Sequence, residues 1–463
     1  MIKYKITILI LMLIISCAQE NNNKNSLGAK NDKVKLMTLN PGHFHAALVH
    51  KEMYSQVDST IYVFAPEGPE VEDFLSKIRS YNAREISPTS WKVETYVKDN
   101  YLEKLIEEKP GHVMIIAGKN SKKVDYILEG VKAGLNVYAD KPLVIDQAGF
   151  EKLLEAFRIA ENNGVLIYDI MTERFEVTNV LQKKIALIPE IFGELVEGSP
   201  NEPSIRKESV HHFYKYVSGR PLVRPAWFFD VSQQGEGIVD VSTHLIDQIQ
   251  WKLFSEQVID TNQIQIISAN RWPTILSLEE FQKVTRLKTF PQYLQKDLIN
   301  NELHVFSNGE IAYRINGKHA KVSVVWHFKA PEGAGDTHYS VMRGSKSNLI
   351  IKQGVEEDHK PTLYIEFHEE SDVITELEDV INLKLGNQFS NLTAEKVSDT
   401  EWKINFLEEL RIGHEAHFAQ VTLKFLKYLE NNSLPDWEVP NMISKYYTTI
   451  EGYKKAKRSP QKE

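Results

Sequence analysis

Between Val34 and Asp169 the chain alternates short apolar runs with amphipathic stretches, and this rhythm limits the fold more than any other feature. Lys35–Leu39, Thr60–Ala65, His112–Ala117, Leu135–Tyr138 and Val165–Asp169 read as strands. His45–Tyr54, Val71–Tyr81, Tyr101–Glu108, Lys122–Ala133 and Asp146–Asn162 read as helices. Strands separated by helices imply βαβ units, which pair into a parallel sheet with helices on both faces. Gly134 and Gly164 fall where helices hand over to strands, as helix-ending glycines do. The expectation for residues 34–172 is a doubly wound α/β domain.

Beyond Thr172 the texture changes. Val210–Val217, Glu302–Phe306, Ile311–Ile315, Lys321–Phe328, Thr337–Met342, Asn348–Lys352 and Thr362–His368 are strand-like, with Asn308-Gly309 and Asn316-Gly317 as turn signals. Consecutive strands with tight turns predict an α+β domain, residues 173–441, built on a large, mainly antiparallel sheet. Helical stretches at Phe406–Leu429 and Trp437–Lys455 follow, and residues 442–463 read as a helical tail. The 42% apolar and 25% charged residues are an ordinary globular mix, which excludes a disordered or fibrous chain. A net charge of −8 argues against a nucleic-acid partner. A single cysteine excludes an internal disulfide and any cysteine-clustered metal site.

That cysteine has a telling position. Lys3 and Lys5 precede an apolar run, Ile6 to Ile15, too short for a spanning helix, which needs about 20 residues. The run ends in Ile14-Ile15-Ser16-Cys17, which resembles the lipobox of bacterial lipoproteins. The resemblance implies a signal peptide over residues 1–16, lipidation of Cys17 and a membrane-anchored, periplasm-facing protein of the cell envelope. Residues 17–33, rich in Asn and Lys, read as a flexible tether.

Three motifs carry chemistry. Asn40-Pro41-Gly42-His43-Phe44-His45 follows the first strand, where dinucleotide-binding folds carry G-x-G-x-x-G; only Gly42 of the three glycines is present. Glu67, past the second strand, stands where a carboxylate can meet a ribose. Tyr138-Ala139-Asp140-Lys141-Pro142 ends a parallel strand, where ligands bind in this architecture, and can set an ammonium beside a developing alkoxide. In Gly235–Asp247, a helix over Ile238–Leu253 would put Asp240, His244 and Asp247 on one face. Such a stripe is either an internal hydrogen-bonded network or the lining of a site. No metal is assigned: His414 and His417 stand three apart, with no third ligand nearby in sequence.

Lys141-Pro142, an Asp-x-x-x-His helix about 100 residues later, and the domain order resemble the Gfo/Idh/MocA oxidoreductases over roughly Val34 to Asn441. Asp169–Glu176, His211–Tyr216 and Arg224–Asp247 also resemble a Bacteroidetes envelope branch with its own carboxyl-terminal domain. The resemblance implies a Rossmann-like first domain binding NAD or NADP, with NAD favoured, and oxidation of a secondary hydroxyl of a sugar or glycoside. It implies catalytic roles for Lys141 as hydroxyl ligand, Asp240 as orienting acid and His244 as proton acceptor. Gly42, His43, Phe44, His45, Glu67, Asn120 and Lys141 would contact a tightly held, recycled cofactor. His212, Tyr214, Trp227 and Asp247 would contact the saccharide, and a homo-oligomer is compatible. Two alternatives remain open: glycoside cleavage through a transient keto-sugar, and a non-catalytic carbohydrate-binding lipoprotein with a degenerate Rossmann domain.

Overall fold

The first domain is ordered by the alternation of side chains along its strands. The computed structural model describes residues 33–217, 220–369 and 376–458. Residues 1–16, Cys17 and nearly all of the tether lie outside these. The elements run β1 (Val34–Leu39), α1 (His45–Leu48), β2 (Val57–Ala65), α2 (Pro69–Ala83), β3 (Lys92–Val97), α3 (Tyr101–Glu108), β4 (Val113–Ile116), α4 (Asn120–Lys132), β5 (Asn136–Asp140), α5 (Gln147–Asn163) and β6 (Ile167–Ile170). The sheet order is β3-β2-β1-β4-β5-β6, and every pairing is parallel. Met37, Leu39, Met114, Ile116 and Val137 face one core; Leu36, Ile61, Val63, Ile115 and Tyr138 face the other. Period-two alternation with apolar side chains on both faces is what a strand covered on both sides requires.

The sequence reading missed β3. Its side chains are exposed or half-buried, as befits an edge strand with no apolar face to betray it. The helix expected over His45–Tyr54 is also cut short, because α1 ends at Leu48. The face that a longer α1 would cover receives a helix from the far end of the chain.

The second domain adds α6 (Val177–Ile185), β7 (Ile205–Tyr214), β8 (Tyr216–Val217), β9 (Arg220–Pro221), α7 (Val231–Gln234), α8 (Ser242–Leu253), β10 (Ile264–Leu276), α9 (Leu278–Thr285), β11 (Leu298–Ile299), β12 (Glu302–Ile315), β13 (Lys318–Lys329), β14 (Thr337–Arg343), β15 (Ser347–Lys352), β16 (Thr362–Phe367), α10 (Leu377–Leu385), β17 (Thr393–Lys396), β18 (Glu401–Asn405), α11 (His414–Asn431) and α12 (Glu438–Arg458). Its large sheet runs β10-β12-β13-β7-β14-β15-β16-β18-β17, with β11 on β12. Only the β7–β13 pairing is parallel. The expected turn at Asn308-Gly309 is absent, since β12 runs straight through it. Asn308 instead accepts the Trp326 amide at 2.6 Å and donates to the Trp272 carbonyl at 3.1 Å. Gly309 is needed because a Cβ there would lie 2.6 Å from Ile238 Cβ. Asn316-Gly317 does turn the chain, with φ of 46° and 81°.

The carboxyl-terminal helices are no appendage. On α11, Phe418, Val421, Phe425, Leu426 and Leu429 complete the core on the α1 side of the first sheet. Helix α12 packs against α5, α8 and β10. Among the described residues no helix is long and apolar enough to cross a membrane.

Candidate active site

A cavity of about 530 Å³ lies between the two domains, at the carboxyl ends of β1, β4 and β5. From the first domain His43, Phe44, His45, Gly118, Asn120, Asp140 and Lys141 line it; Asp240 and His244 line it from the second. His414 comes from the start of α11. The site thus draws on three regions far apart in sequence.

Lys141 follows β5 directly, and its ammonium donates to Asp240 Oδ1 at 2.6 Å. The other oxygen of Asp240 accepts from Gln234 Nε2 at 2.9 Å, and the Gln234 carbonyl accepts from Asn120 at 2.7 Å. A chain of contacts therefore fixes Lys141 from α4 through α7. The expectation that Asp240 orients His244 is corrected here, because no hydrogen bond joins them. Helix α8 begins only at Ser242, so Asp240 sits in the preceding turn and the four-residue helical spacing does not apply.

His244 lies in the cavity wall. Burial first, then the nearby Lys141 ammonium, hold its imidazole well below the ordinary histidine pKa. Its Nδ1 has no hydrogen-bond partner among the described residues. A neutral imidazole beside an ammonium is the pairing that can accept a proton from a hydroxyl while the resulting oxyanion is stabilised.

The wall opposite is built on β7 and β13. His211 stacks on Trp326 with ring centroids 4.9 Å apart, and the Arg224 guanidinium lies over both Trp326 and Phe228. Asp336 collects these groups: His211 Nδ1 lies 2.9 Å from it, the His212 amide donates to it at 3.1 Å, and Lys215 pairs with it. Burial disfavours the Asp336 carboxylate, but His211, His212 and Lys215 outweigh it and hold the pKa well below the usual range. Trp326 and Asp336 escaped the sequence reading. An acid in the loop Gly333-Ala334-Gly335-Asp336 carries no local signal.

None of the four expected substrate contacts lines the cavity. His212 alternates with His211 along β7, so its ring points to the opposite face. Tyr214 stacks on Phe328 instead. Trp227 Nε1 donates to Glu70 at 3.1 Å, across the first domain's crevice. Asp247 is buried in an ion network with Arg174 at 2.7 Å and Lys445 at 2.9 Å.

The expected dinucleotide contacts divide. His43, Phe44, His45, Asn120 and Lys141 line the cavity, whose volume falls in the range of about 300–1,000 Å³ common for cofactor sites. This end fits a nicotinamide riboside. The phosphate end differs from the usual pattern. The Gly42 and His43 amides both donate to the Ala117 carbonyl at 3.1 Å. A Cβ on Gly42 would sit 3.4 Å from Gly118 Cα and 3.6 Å from Trp227 Cζ2, so the loop glycine is packed against both. Glu67 is exposed on the turn past β2 and does not line this cavity.

Comparison with known proteins places these features. The model of the family described as "Putative oxidoreductase C terminal domain" matches residues 181–457. A crystal structure of "a putative oxidoreductase" from Parabacteroides merdae is 48% identical, covers 92% of this chain and 98% of its own, and superposes with a TM-score of 0.89. Levoglucosan dehydrogenase in complex with NADH and levoglucosan is 12% identical over 92% of this chain and 98% of its own, at a TM-score of 0.58. Biliverdin reductase from Synechocystis, with biliverdin and NADP+, is 11% identical over 92% and 99%, at 0.55. These last two share the fold. No curated protein matches the sequence. The chain therefore belongs to the family defined by that oxidoreductase carboxyl-terminal domain, carried here behind a Rossmann-like parallel-sheet domain.

Proposed function

We propose that this chain is a nicotinamide-dependent oxidoreductase acting on a secondary hydroxyl of a saccharide. The carrying observation is the facing pair in the interdomain cavity: the Lys141 ammonium fixed by Asp240 at 2.6 Å, and the neutral His244 imidazole. Family membership and the fold shared with NADH- and NADP+-bound neighbours support the cofactor class. The nicotinamide ring, when bound, supplies the hydride acceptor. His43, Phe44, His45 and Asn120 would hold it at the cavity's inner end. Lys141 binds the substrate oxygen and stabilises its developing negative charge, and His244 receives the hydroxyl proton. The wall of His211, Arg224, Trp326 and Phe228 offers a saccharide apolar surface together with hydrogen-bonding groups. The amino-terminal motif supports placing this enzyme in the cell envelope, lipid-anchored through Cys17.

The test is mass spectrometry of nucleotide released by denaturing the purified protein, with titration of NAD and NADP onto stripped protein. Retained or micromolar-affinity nucleotide is expected, and His244→Gln should keep that affinity while kcat drops about 100-fold or more. A second reading, a saccharide binder without cofactor, is favoured by one observation: the Gly42 and His43 amides that would meet a pyrophosphate are engaged by the Ala117 carbonyl. Saccharide binding with no nucleotide bound at millimolar concentration would replace the first reading with the second.

A further inference from the structure

The loop with one glycine of the three carries two histidines, and they converge on one atom. His45 Nδ1 lies 3.0 Å from Asp140 Oδ2, and His43 Nδ1 lies 3.8 Å from the same oxygen. A carboxylate–imidazole hydrogen bond needs only one of these rings. The three donor atoms lie within 4.8 Å of one another, and His45 and Asp140 are buried. Two ligands at about 2.0–2.1 Å from one tetrahedral ion lie roughly 3.4 Å apart, a separation that the two observed distances bracket. The His43 Nδ1 accepts the His45 amide at 3.3 Å, so this nitrogen carries a lone pair and no proton, and metal coordination would exchange that long hydrogen bond for the ion.

We propose that His43, His45 and Asp140 form a binding site for a divalent transition-metal ion, in the class of Zn²⁺, Co²⁺ or Fe²⁺. Two imidazoles and a carboxylate are ligands these ions share. All three residues line the cavity, so the coordination positions left over face its interior and the neighbouring Lys141. Three protein ligands with an open position are the pattern of a reactive rather than a structural site. The ion would lie in a loop whose Gly42 and His43 amides are taken up by the Ala117 carbonyl and offer nothing to an anion. A cation there gives the cavity an attraction for oxygen ligands that these backbone amides do not supply. The site departs from the sequence expectation of no metal, because Asp140 lies 95 residues from His45. It does not depend on the nicotinamide reading, since the ligands belong to the chain alone.

The experiment uses untagged full-length protein stripped with chelator. Zn²⁺ is titrated by calorimetry, and Co²⁺ is followed by its visible ligand-field bands. The expected result is one equivalent bound with micromolar or tighter affinity, intense low-symmetry Co²⁺ bands and a raised melting temperature. His43→Gln and His45→Gln should each weaken binding at least 30-fold. His43→Gln sits in a loop and leaves the β5 core untouched, so circular dichroism should find it folded. Binding weaker than about 100 μM in wild type, or wild-type affinity in both variants, overturns the proposal. Nucleotide binding without metal binding would sink this site and leave the proposed function standing; metal binding without nucleotide does the reverse.

Discussion

At the scale of single residues, the buried histidines show what sequence can and cannot say. Lys141 and His244 were legible, because a lysine after a parallel strand and a histidine at the head of an apolar helix each carry a local signature. The partner of Asp240 was not, since it depended on a helix starting four residues later than the periodicity suggests. His50 carried no signal, yet it is fully buried with its Nε2 3.0 Å from Thr38 Oγ1. Burial pulls its pKa down to about 3. The unfolded chain then binds a proton below pH 6.5 that the folded chain refuses, so stability must fall as pH drops through that window. At pH 5 this amounts to about 2 kcal/mol from one histidine. Replacing His50 with Gln should flatten the melting-temperature profile between pH 6.5 and 4, measured by scanning calorimetry. An unchanged slope would assign acid sensitivity elsewhere.

At the scale of elements, α11 is the piece whose sequence and spatial positions disagree most. Its apolar stripe announces a buried face, but the stripe cannot say what lies against it. In the fold Phe425 stacks on Tyr138 at 4.6 Å and on Tyr168 at 5.7 Å, with all three rings nearly parallel. These tyrosines belong to β5 and β6, so a helix from the carboxyl terminus closes the first domain's core. Its first turn also sets the His414 ring 5.4 Å from His45 in the cavity. Phe425→Ala should cost about 3–5 kcal/mol in chemical denaturation, as expected for a large ring removed from a packed core. Because the helix abuts the site, the loss should lower ligand affinity as well. A cost below 1 kcal/mol would mean that α11 rests on the sheet without supporting it. The mistaken turn at Asn308-Gly309 teaches the converse lesson. A dipeptide with turn chemistry can sit mid-strand when its side chain bridges neighbours and its glycine admits another element.

At the scale of the whole molecule, the domains are held by a buried ion network. Arg174, just past β6, binds Asp247 of α8 through two contacts of 2.7 Å and Glu438 of α12 at 2.9 Å. Lys445 joins Asp247 at 2.9 Å to Asp169 of β6 at 2.7 Å. Substituting Arg174 with Met leaves two buried carboxylates short of a partner, which should cost about 3–5 kcal/mol. Asp247→Asn in that background should recover part of the loss, and equilibrium unfolding followed by tryptophan fluorescence measures both. Additive effects would contradict a coupled network. By itself the sequence determined the local elements, the parallel architecture of the first half and the strand-rich second half, because periodicity and turn chemistry act over a few residues. It also marked Lys141 and His244. Only the tertiary structure decided that Asp240 serves Lys141, that Asp247 is an interdomain tie, and that His43, His45 and Asp140 meet. Those outcomes rest on contacts between groups from about 70 to more than 200 residues apart, and no local pattern encodes which distant partner a buried charge will find.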